Sequence, residues 1–234
     1  MKLHTHEWGG GDRTAVLVHG MTSDHRSWLR LGPELAERGY RVLAVDLRGH
    51  GLSPRGTGAS PAERYPLEAY AEDLLETLSA GPELAIGHSL GGIALVGAVE
   101  RLKPARAVYV DPGWRLWQAG LDPKEWVAEK QATREWIVAR NPRWEAADVE
   151  AKLAGLAHWD PDTALALVDQ RSDLPTTAAV PSLVVLADGS ALVGAEQAGT
   201  LRARGFEVRT VPGAGHNPHR DDHEGFLAAL DAWI

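Results

Sequence analysis

Cysteine is absent from the 234 residues of this chain. A disulfide framework, a thiolate metal site and a catalytic thiol are therefore excluded. The absence fits a reducing compartment, so we expect a cytoplasmic protein. Phenylalanine and methionine are scarce, with 2 residues each, whereas tryptophan is abundant, with 9.

Long apolar runs and basic clusters are also missing. No segment approaches the ~20 apolar residues that a membrane span requires, and the polar N-terminal segment lacks the apolar run of a signal peptide. Lysine and arginine number 24 against 32 acidic residues, a net charge of -8, without a basic cluster that could neutralise phosphates. We expect a soluble protein without membrane or nucleic-acid partners.

Short apolar runs recur along the chain, and segments with helical spacing lie between them. Runs that are apolar throughout are typical of strands buried on both faces of a parallel sheet. Their alternation with helices predicts an open α/β sheet with helices on both sides. The predicted strands are 15–18, 42–45, 84–86, 107–110, 183–187 and 208–211, and the predicted helices are 27–38, 67–78, 91–101, 191–204 and 218–234.

The alternation breaks between residues 113 and 175, a helical segment that holds six of the nine tryptophans. We interpret it as a small helical cap inserted into a core domain of residues 1–112 and 176–234. Large rings stabilise packing wherever they lie, so the tryptophans could simply attach the cap to the core. As candidates for lining a substrate site we select Trp114, Trp117, Trp136 and Trp159.

The stretch "IGHSLGG", residues 86–92, places a serine between glycines directly after an apolar run. If a strand ends at residue 86 and a helix follows, Ser89 lies in a sharp, strained turn that glycines at 87 and 91 permit. Its hydroxyl would then be exposed above the sheet. The backbone N–H of Leu90, in the first turn of the helix, could stabilise developing negative charge nearby.

A serine hydroxyl needs a base, and histidine is the fitting one near neutral pH. Of ten histidines, His216 follows the last apolar run in a glycine-rich loop before the final helix, which makes it the candidate. We expect its neighbour His219 to be a solvated residue in that helix. His88, next to the serine, should point elsewhere because adjacent side chains diverge at a tight turn.

Four stretches occur in an order and spacing that resemble the α/β-hydrolase superfamily over almost the whole chain. They are "LVHGMTSDHRSW" (17–28), "VLAVDLRGHGLS" (42–53), "AIGHSLGG" (85–92) and "VPGAGHNPH" (211–219). The resemblance implies an α/β-hydrolase fold, with His216 as the catalytic histidine. It makes the Met21 N–H a second oxyanion donor beside Leu90, and it implies structural roles for His19, Arg48 and His50.

The position of the carboxylate that should orient the histidine departs from the usual pattern of the superfamily. In most of the superfamily it follows the strand predicted at 183–187, but the aligned position here is Ser190. Some members take the acid from the end of the strand predicted at 107–110, which favours Asp111. Asp188, two positions before Ser190, is the alternative. Asp46 also follows a strand, but we expect it only to receive backbone hydrogen bonds.

A serine, a histidine, a carboxylate and two backbone donors imply acyl transfer through an acyl-serine intermediate, with no metal and no cofactor. The chain resembles the serine hydrolases of the superfamily, since its dehalogenases and epoxide hydrolases carry a carboxylate at the position of Ser89. The tryptophan-rich cap suggests a small, mainly apolar or aromatic ester, lactone or thioester. C–C bond or amide hydrolysis, lyase or perhydrolase activity on the same groups, and a binding protein without turnover, stay open.

Overall fold

A computed structural model describes residues 1–118, 120 and 122–234, without the side chains of residues 117, 168 and 169. The described residues form a seven-stranded sheet in the order β1-β3-β2-β4-β5-β6-β7. Its strands are β1 (Thr5–Trp8), β2 (Arg13–Val18), β3 (Tyr40–Val45), β4 (Leu84–His88), β5 (Arg106–Val110), β6 (Ser182–Leu186) and β7 (Glu207–Thr210).

All six predicted strands are present and pair in parallel, which confirms the predicted α/β class. The sequence did not predict β1, which pairs antiparallel with β3 at the edge of the sheet. Exposed and half-buried residues alternate along it. An edge strand of four residues with one exposed face contains no apolar run, so the pattern used for the other strands misses it.

The helices are α1 (Leu31–Glu37), α2 (Pro61–Arg64), α3 (Leu67–Thr77), α4 (Leu90–Leu102), α5 (Pro123–Glu129), α6 (Arg134–Arg140), α7 (Ala146–His158), α8 (Asp162–Leu165), α9 (Ala195–Ala203), α10 (Pro218–Asp221) and α11 (His223–Ala229). Side chains of α3, α4 and α9 cover one face of the sheet, and those of α1 and α11 cover the other. None of the described helices is long and apolar enough to cross a membrane.

Predicted helix bounds were wrong in three places. A separate 3-10 turn, His25–Trp28, precedes α1, and the final helix is divided into α10 and α11. The predicted helix 191–204 starts only at residue 195, because the Ser190 hydroxyl accepts hydrogen bonds from the N–H groups of Leu192 and Val193. A serine that bonds the backbone locally in this way stabilises a turn instead of a helix.

The cap segment contains α5 to α8 between β5 and β6. A small apolar cluster of its own includes Ile137, Leu156 and Trp159. Trp114 lies instead in the main core, where its ring is 4.9 Å from that of Tyr109. The first tryptophan of the segment is therefore part of the sheet's packing. The exact division into core and cap stays a prediction.

Candidate active site

Ser89 stands between β4 and α4 with φ of +50° and ψ of -113°. A Cβ added to Gly87 would lie 2.4 Å from the carbonyl oxygen of Gly91, and one added to Gly91 would lie 2.3 Å from that of Val18. Real side chains cannot occupy either position, because the strand, the turn and the helix approach too closely there. The strained turn predicted for Ser89 is present, and the reason for both glycines is steric.

Asp111 follows β5 and bonds His216, which lies in the loop after β7. The Asp111 Oδ2 atom is 2.6 Å from the His216 Nδ1 atom, and Oδ1 accepts a 3.2 Å bond from the Ala187 N–H. The carboxylate is almost fully buried, whereas the imidazole is 43% exposed. With Nδ1 bound to the acid, Nε2 is the nitrogen that remains for a proton transfer.

Asp188, the alternative acid, makes a different contact. Its carboxylate accepts a 2.7 Å bond from the Gly213 N–H, and its own N–H donates to the Ala214 carbonyl at 2.8 Å. Both bonds hold the loop that carries His216, and neither reaches the imidazole. The geometry therefore distinguishes the two carboxylates and favours Asp111 as the acid.

The loop after β2 brings Met21 next to the serine. A Cβ added to Gly20 would lie 3.0 Å from the Ser89 Cβ, so only glycine fits there. His19 fixes this loop, since its Nδ1 bonds the Gly20 carbonyl at 2.8 Å and its Nε2 accepts a 2.9 Å bond from the Leu47 N–H. Burial lowers the pKa of His19, so the ring stays neutral and holds the loop through hydrogen bonds.

One cavity of about 490 Å³ is lined by Ser89, Asp111 and His216 together with Met21 and Leu90. In the described part of the chain, no hydrogen-bond acceptor is assigned to the backbone N–H of Met21 or Leu90. Both groups are therefore available to a bound oxyanion. The fold brings all the predicted reactive groups to the same space.

Among the described side chains, the cap contributes Trp126, Trp136 and Trp144 to this cavity. Trp136 lines it, and its substrate-binding role stays a prediction. Trp114 and Trp159 do not line it, because both rings are fully buried in apolar clusters. The side chain of residue 117 lies outside the described part of the structure. Trp126 and Trp144 were missed, since spacing alone does not show which side of α5 faces a ligand, and Trp144 lies in the loop between α6 and α7.

Two further histidines lie behind His216. The His88 Nε2 atom bonds the His216 carbonyl at 2.8 Å. Burial is the main cause that lowers the pKa of His88 well below the ordinary value, and the nearby His216 ring adds to it. The prediction that His219 is solvated is wrong: its ring is buried and lies 4.6 Å from Trp28. Pro218 and His219 are both buried in α10. The His219 ring packs among Trp28, His88 and Phe226, and burial lowers the pKa of His219 as well.

Arg48 and His50 make the structural contacts expected of them. Arg48 forms two short bonds to the buried carboxylate of Asp73, at 2.6 and 2.7 Å. His50 bonds the Arg48 carbonyl at 2.9 Å, and burial lowers its pKa to about 3. Neither residue is among those that line the cavity.

Among the described residues, one group of side chains has the spacing of a metal site: His4, His25 and Asp46. Each Asp46 oxygen already accepts one imidazole N–H and one backbone N–H, at 2.7 to 2.9 Å. Burial alone would raise the pKa of Asp46, but the hydrogen bonds from His25 and from the backbone outweigh it and lower the pKa. The carboxylate thus links the residue before β1 to the loops after β2 and β3. It receives the backbone hydrogen bonds expected of it, and the two imidazole contacts were not predicted.

Comparisons with known proteins agree with this fold. The pig (Sus scrofa) bifunctional epoxide hydrolase 2 is 36% identical over 40% of this chain, but the chain spans only 17% of that protein. The 2-succinyl-6-hydroxy-2,4-cyclohexadiene-1-carboxylate synthase of Escherichia coli is 29% identical over 92% of this chain and 91% of its own. An aryl esterase structure from Burkholderia cenocepacia, described as putative, superposes with a TM-score of 0.79 at 23% identity, over 99% of this chain and 93% of its own. A sequence model of the alpha/beta hydrolase family matches residues 15–229, so the chain belongs to that family.

Proposed function

We propose that the protein is a serine hydrolase that cleaves carboxylic esters, with Ser89 as nucleophile, His216 as base and Asp111 as the orienting acid. One observation carries the proposal: the 2.6 Å contact of Asp111 with His216 Nδ1, at the wall of the cavity that Ser89 also lines. A buried carboxylate on Nδ1 fixes the tautomer whose Nε2 can accept a proton, and it stabilises the imidazolium that results.

The reaction divides into two acyl transfers. Ser89 Oγ attacks the ester carbonyl carbon while His216 Nε2 takes the hydroxyl proton, and the N–H groups of Met21 and Leu90 stabilise the oxyanion. The C–O bond to the alcohol breaks, and the alcohol leaves with the proton from His216. Water then attacks the acyl-serine with the same base, which releases the acid and restores Ser89.

The cavity wall supports a substrate with an apolar or aromatic part. Trp126, Trp136 and Trp144 line it from the cap side, and Leu90 and Ile93 line it from the core side. A volume of about 490 Å³ suits a small molecule. A small ester, lactone or thioester with an apolar group fits this space.

A second candidate is a non-hydrolytic reaction on the same three groups. It is favoured by the relative from Escherichia coli, which is named as a synthase and matches this chain over nearly its full length. Analysis of products by mass spectrometry separates the two reactions. Hydrolysis in water labelled with ¹⁸O places the isotope in the released acid, whereas a reaction without water does not.

A fluorophosphonate probe tests the proposal directly. The native protein should be labelled on Ser89 and should cleave short aryl esters. Ser89→Ala should abolish labelling and lower kcat by about 10⁴-fold or more. A folded native protein that neither labels nor cleaves any ester would contradict the proposal and favour a binding protein without turnover.

A further inference from the structure

One wall of the cavity is basic. Lys152 and Arg220 line it together with the hydroxyl-bearing residues Thr22 and Ser23, and we call these four residues the basic wall. Lys152 belongs to α7 of the cap, Arg220 to α10 after His216, and the two hydroxyls directly follow Met21. The wall therefore joins the cap to the loop that offers the oxyanion donor.

Lys152 is a mostly buried ammonium group. Its Nζ atom donates to the Thr22 hydroxyl at 2.5 Å and to the Glu129 carboxylate at 2.9 Å. An ammonium group has three N–H donors, so one remains after these two bonds. Burial lowers the pKa of Lys152, although Glu129 opposes that shift.

Arg220 is buried more deeply, and its hydrogen bonding is incomplete. Among the described residues, its Nε atom has no hydrogen-bond partner, and its guanidinium makes a long contact of 3.4 Å to the Ser23 hydroxyl. Trp144 covers the guanidinium at 4.7 Å from the ring centre. A buried arginine normally satisfies most of its five donors, so this one has capacity for an oxygen ligand.

Among the described residues, the acidic side chains nearby form no hydrogen bond to Arg220. Asp24 and Asp221 act on its charge from a distance, but Asp24 is bonded to Arg26 and Asp221 accepts the Trp144 indole N–H. Glu129 is bonded to Lys152, and the other two acids that line the cavity, Asp111 and Asp188, are held by the bonds described above. Asp148 approaches the Arg220 Nε atom only to 3.9 Å, and its own Oδ1 atom has no partner. Burial raises the pKa of Asp148, so this acid is itself poorly stabilised. The nearby Arg220 charge adds to the burial that lowers the pKa of Lys152, so the two buried cations repel each other.

We propose that the basic wall binds a carboxylate group of the substrate, so that the protein acts on acyl compounds that carry an anionic carboxylate near the reacting carbonyl. A carboxylate can accept hydrogen bonds from a guanidinium, an ammonium and two hydroxyls at once, and such bonds are strong in a desolvated site. Because Thr22 and Ser23 follow Met21, the anion would lie beside the oxyanion donors and fix the direction of the acyl chain.

The inference rests on the proposed function, and it replaces the expectation of a mainly apolar substrate with an amphipathic one. The tryptophans would hold the apolar part, and the basic wall would hold the charged end. The chain has a net charge of -8, so anion binding here is a property of this wall and not of a generally basic surface.

The test compares two substrates of equal length, monoethyl glutarate and ethyl pentanoate. The native protein should prefer the anionic ester in kcat/KM. Arg220→Met and Lys152→Met should each lower the ratio of anionic to neutral kcat/KM by about 10- to 100-fold. Arg38→Gln, which removes an exposed charge paired with Glu34, should leave the ratio unchanged. A native preference for the neutral ester, or equal losses on both esters, would overturn the proposal.

Removal of Arg220 leaves Asp148 buried without its cation, so a second variant keeps the test valid if Arg220→Met does not fold. The double variant Arg220→Met/Asp148→Asn removes both charges. Glutarate should raise the melting temperature of the Ser89→Ala protein, and it should not do so when the double change is added. Stabilisation by inorganic phosphate without stabilisation by glutarate would refute the carboxylate assignment.

The outcomes separate this inference from the proposed function. If the fluorophosphonate labels Ser89 but glutarate does not bind and neutral esters are preferred, only the carboxylate subsite is refuted. If glutarate binds through Arg220 but no probe labels Ser89, the subsite is supported and the hydrolase proposal fails.

Discussion

The two sides of the cavity are built by different means. On the core side, Ser89 and Asp111 directly follow neighbouring parallel strands, whose register pairs His88 with Val110. Backbone hydrogen bonds on both sides fix these strand ends. On the cap side, helices α5 and α6 have seven residues each, and they present aromatic and charged side chains.

Two residues on the core side also have strained backbones. Ser89 and Asp111 have positive φ angles of 50° and 36°, which the surrounding sheet must maintain. Strain of this kind persists where neighbouring structure fixes it, and it is often found at functional sites. We therefore expect the core side to carry the chemistry and both sides to contribute to the choice of substrate, and each side can be tested separately.

The largest effect is expected at the acid. Asp111→Asn should lower kcat by about 10⁴-fold, because an amide at Nδ1 favours the wrong tautomer of His216. Asp188→Asn is the matched control and should keep kcat within about threefold, since its carboxylate contacts only backbone groups. Steady-state kinetics on an aryl ester measure both. A dead Asp188→Asn beside an active Asp111→Asn would reverse the assignment of the acid.

The strand-end residues on the core side of the cavity could be predicted from the sequence for a physical reason. Strands buried on both faces are apolar throughout, and the ends of parallel strands meet at one edge, so residues directly after such runs must come together. Ser89 and Asp111 directly follow runs of this kind, whereas His216 lies in the loop after β7, an edge strand with exposed positions, and its assignment also needed the resemblance to the superfamily. The same logic fails for β1, because an edge strand with one exposed face carries no apolar run.

The cap side could not be predicted in the same detail. Its short helices make few backbone bonds to the core, so side-chain packing alone decides which ring enters the cavity. Trp136 was predicted and lines the cavity, whereas Trp159 is buried in the cap's own cluster. Arg220 was not identified as a ligand candidate, because nothing in the local pattern shows that a buried arginine lacks partners.

The two tryptophans sharpen the comparison within the cap. Trp159→Ala should lower the free energy of unfolding by about 3–5 kcal/mol, because a fully buried ring and its 2.6 Å bond to the Thr163 hydroxyl are lost. Trp136→Ala, at a ring that is 37% exposed, should change stability by less than about 1 kcal/mol and should mainly raise KM. Urea unfolding and ester kinetics on both variants provide the measurements. Equal losses of stability would mean that Trp136 is a packing residue.

Two glycine-to-alanine substitutions, one on each side of the cavity, test how much space a single methyl group has. Gly20→Ala places a Cβ atom 2.7 Å from His88 Nδ1 and 3.0 Å from Ser89 Cβ. The serine must shift, and kcat should fall by about 10²-fold. Gly155→Ala, in α7 of the cap, finds its nearest neighbour at 3.4 Å. It should keep kcat and stabilise the helix by about 0.5–1 kcal/mol. A fully active Gly20→Ala would show that the serine is not held as tightly as the backbone implies.

The smallest effect concerns the buried histidine behind the active site. The pKa of His219 is lowered by burial, then by the nearby His88 and Arg220. Below an ordinary histidine pKa of about 6.5, the unfolded chain therefore binds a proton that the folded chain does not, and stability falls as the pH falls. His219→Leu removes one such group. The slope of unfolding free energy against pH should decrease by about 1.4 kcal/mol per pH unit below pH ~6.5.

Above that pH the same substitution should be favourable. Both ring nitrogens of His219 are buried without hydrogen-bond partners in the part of the chain that the structure describes. Replacing an unpaired polar group with an apolar one of similar size gains about 1 kcal/mol. Urea titrations of the native and His219→Leu proteins between pH 5 and 8 would separate the two effects. Parallel curves would mean that His219 is protonated in the folded protein, and the core side would then contain a charged ring directly behind His216.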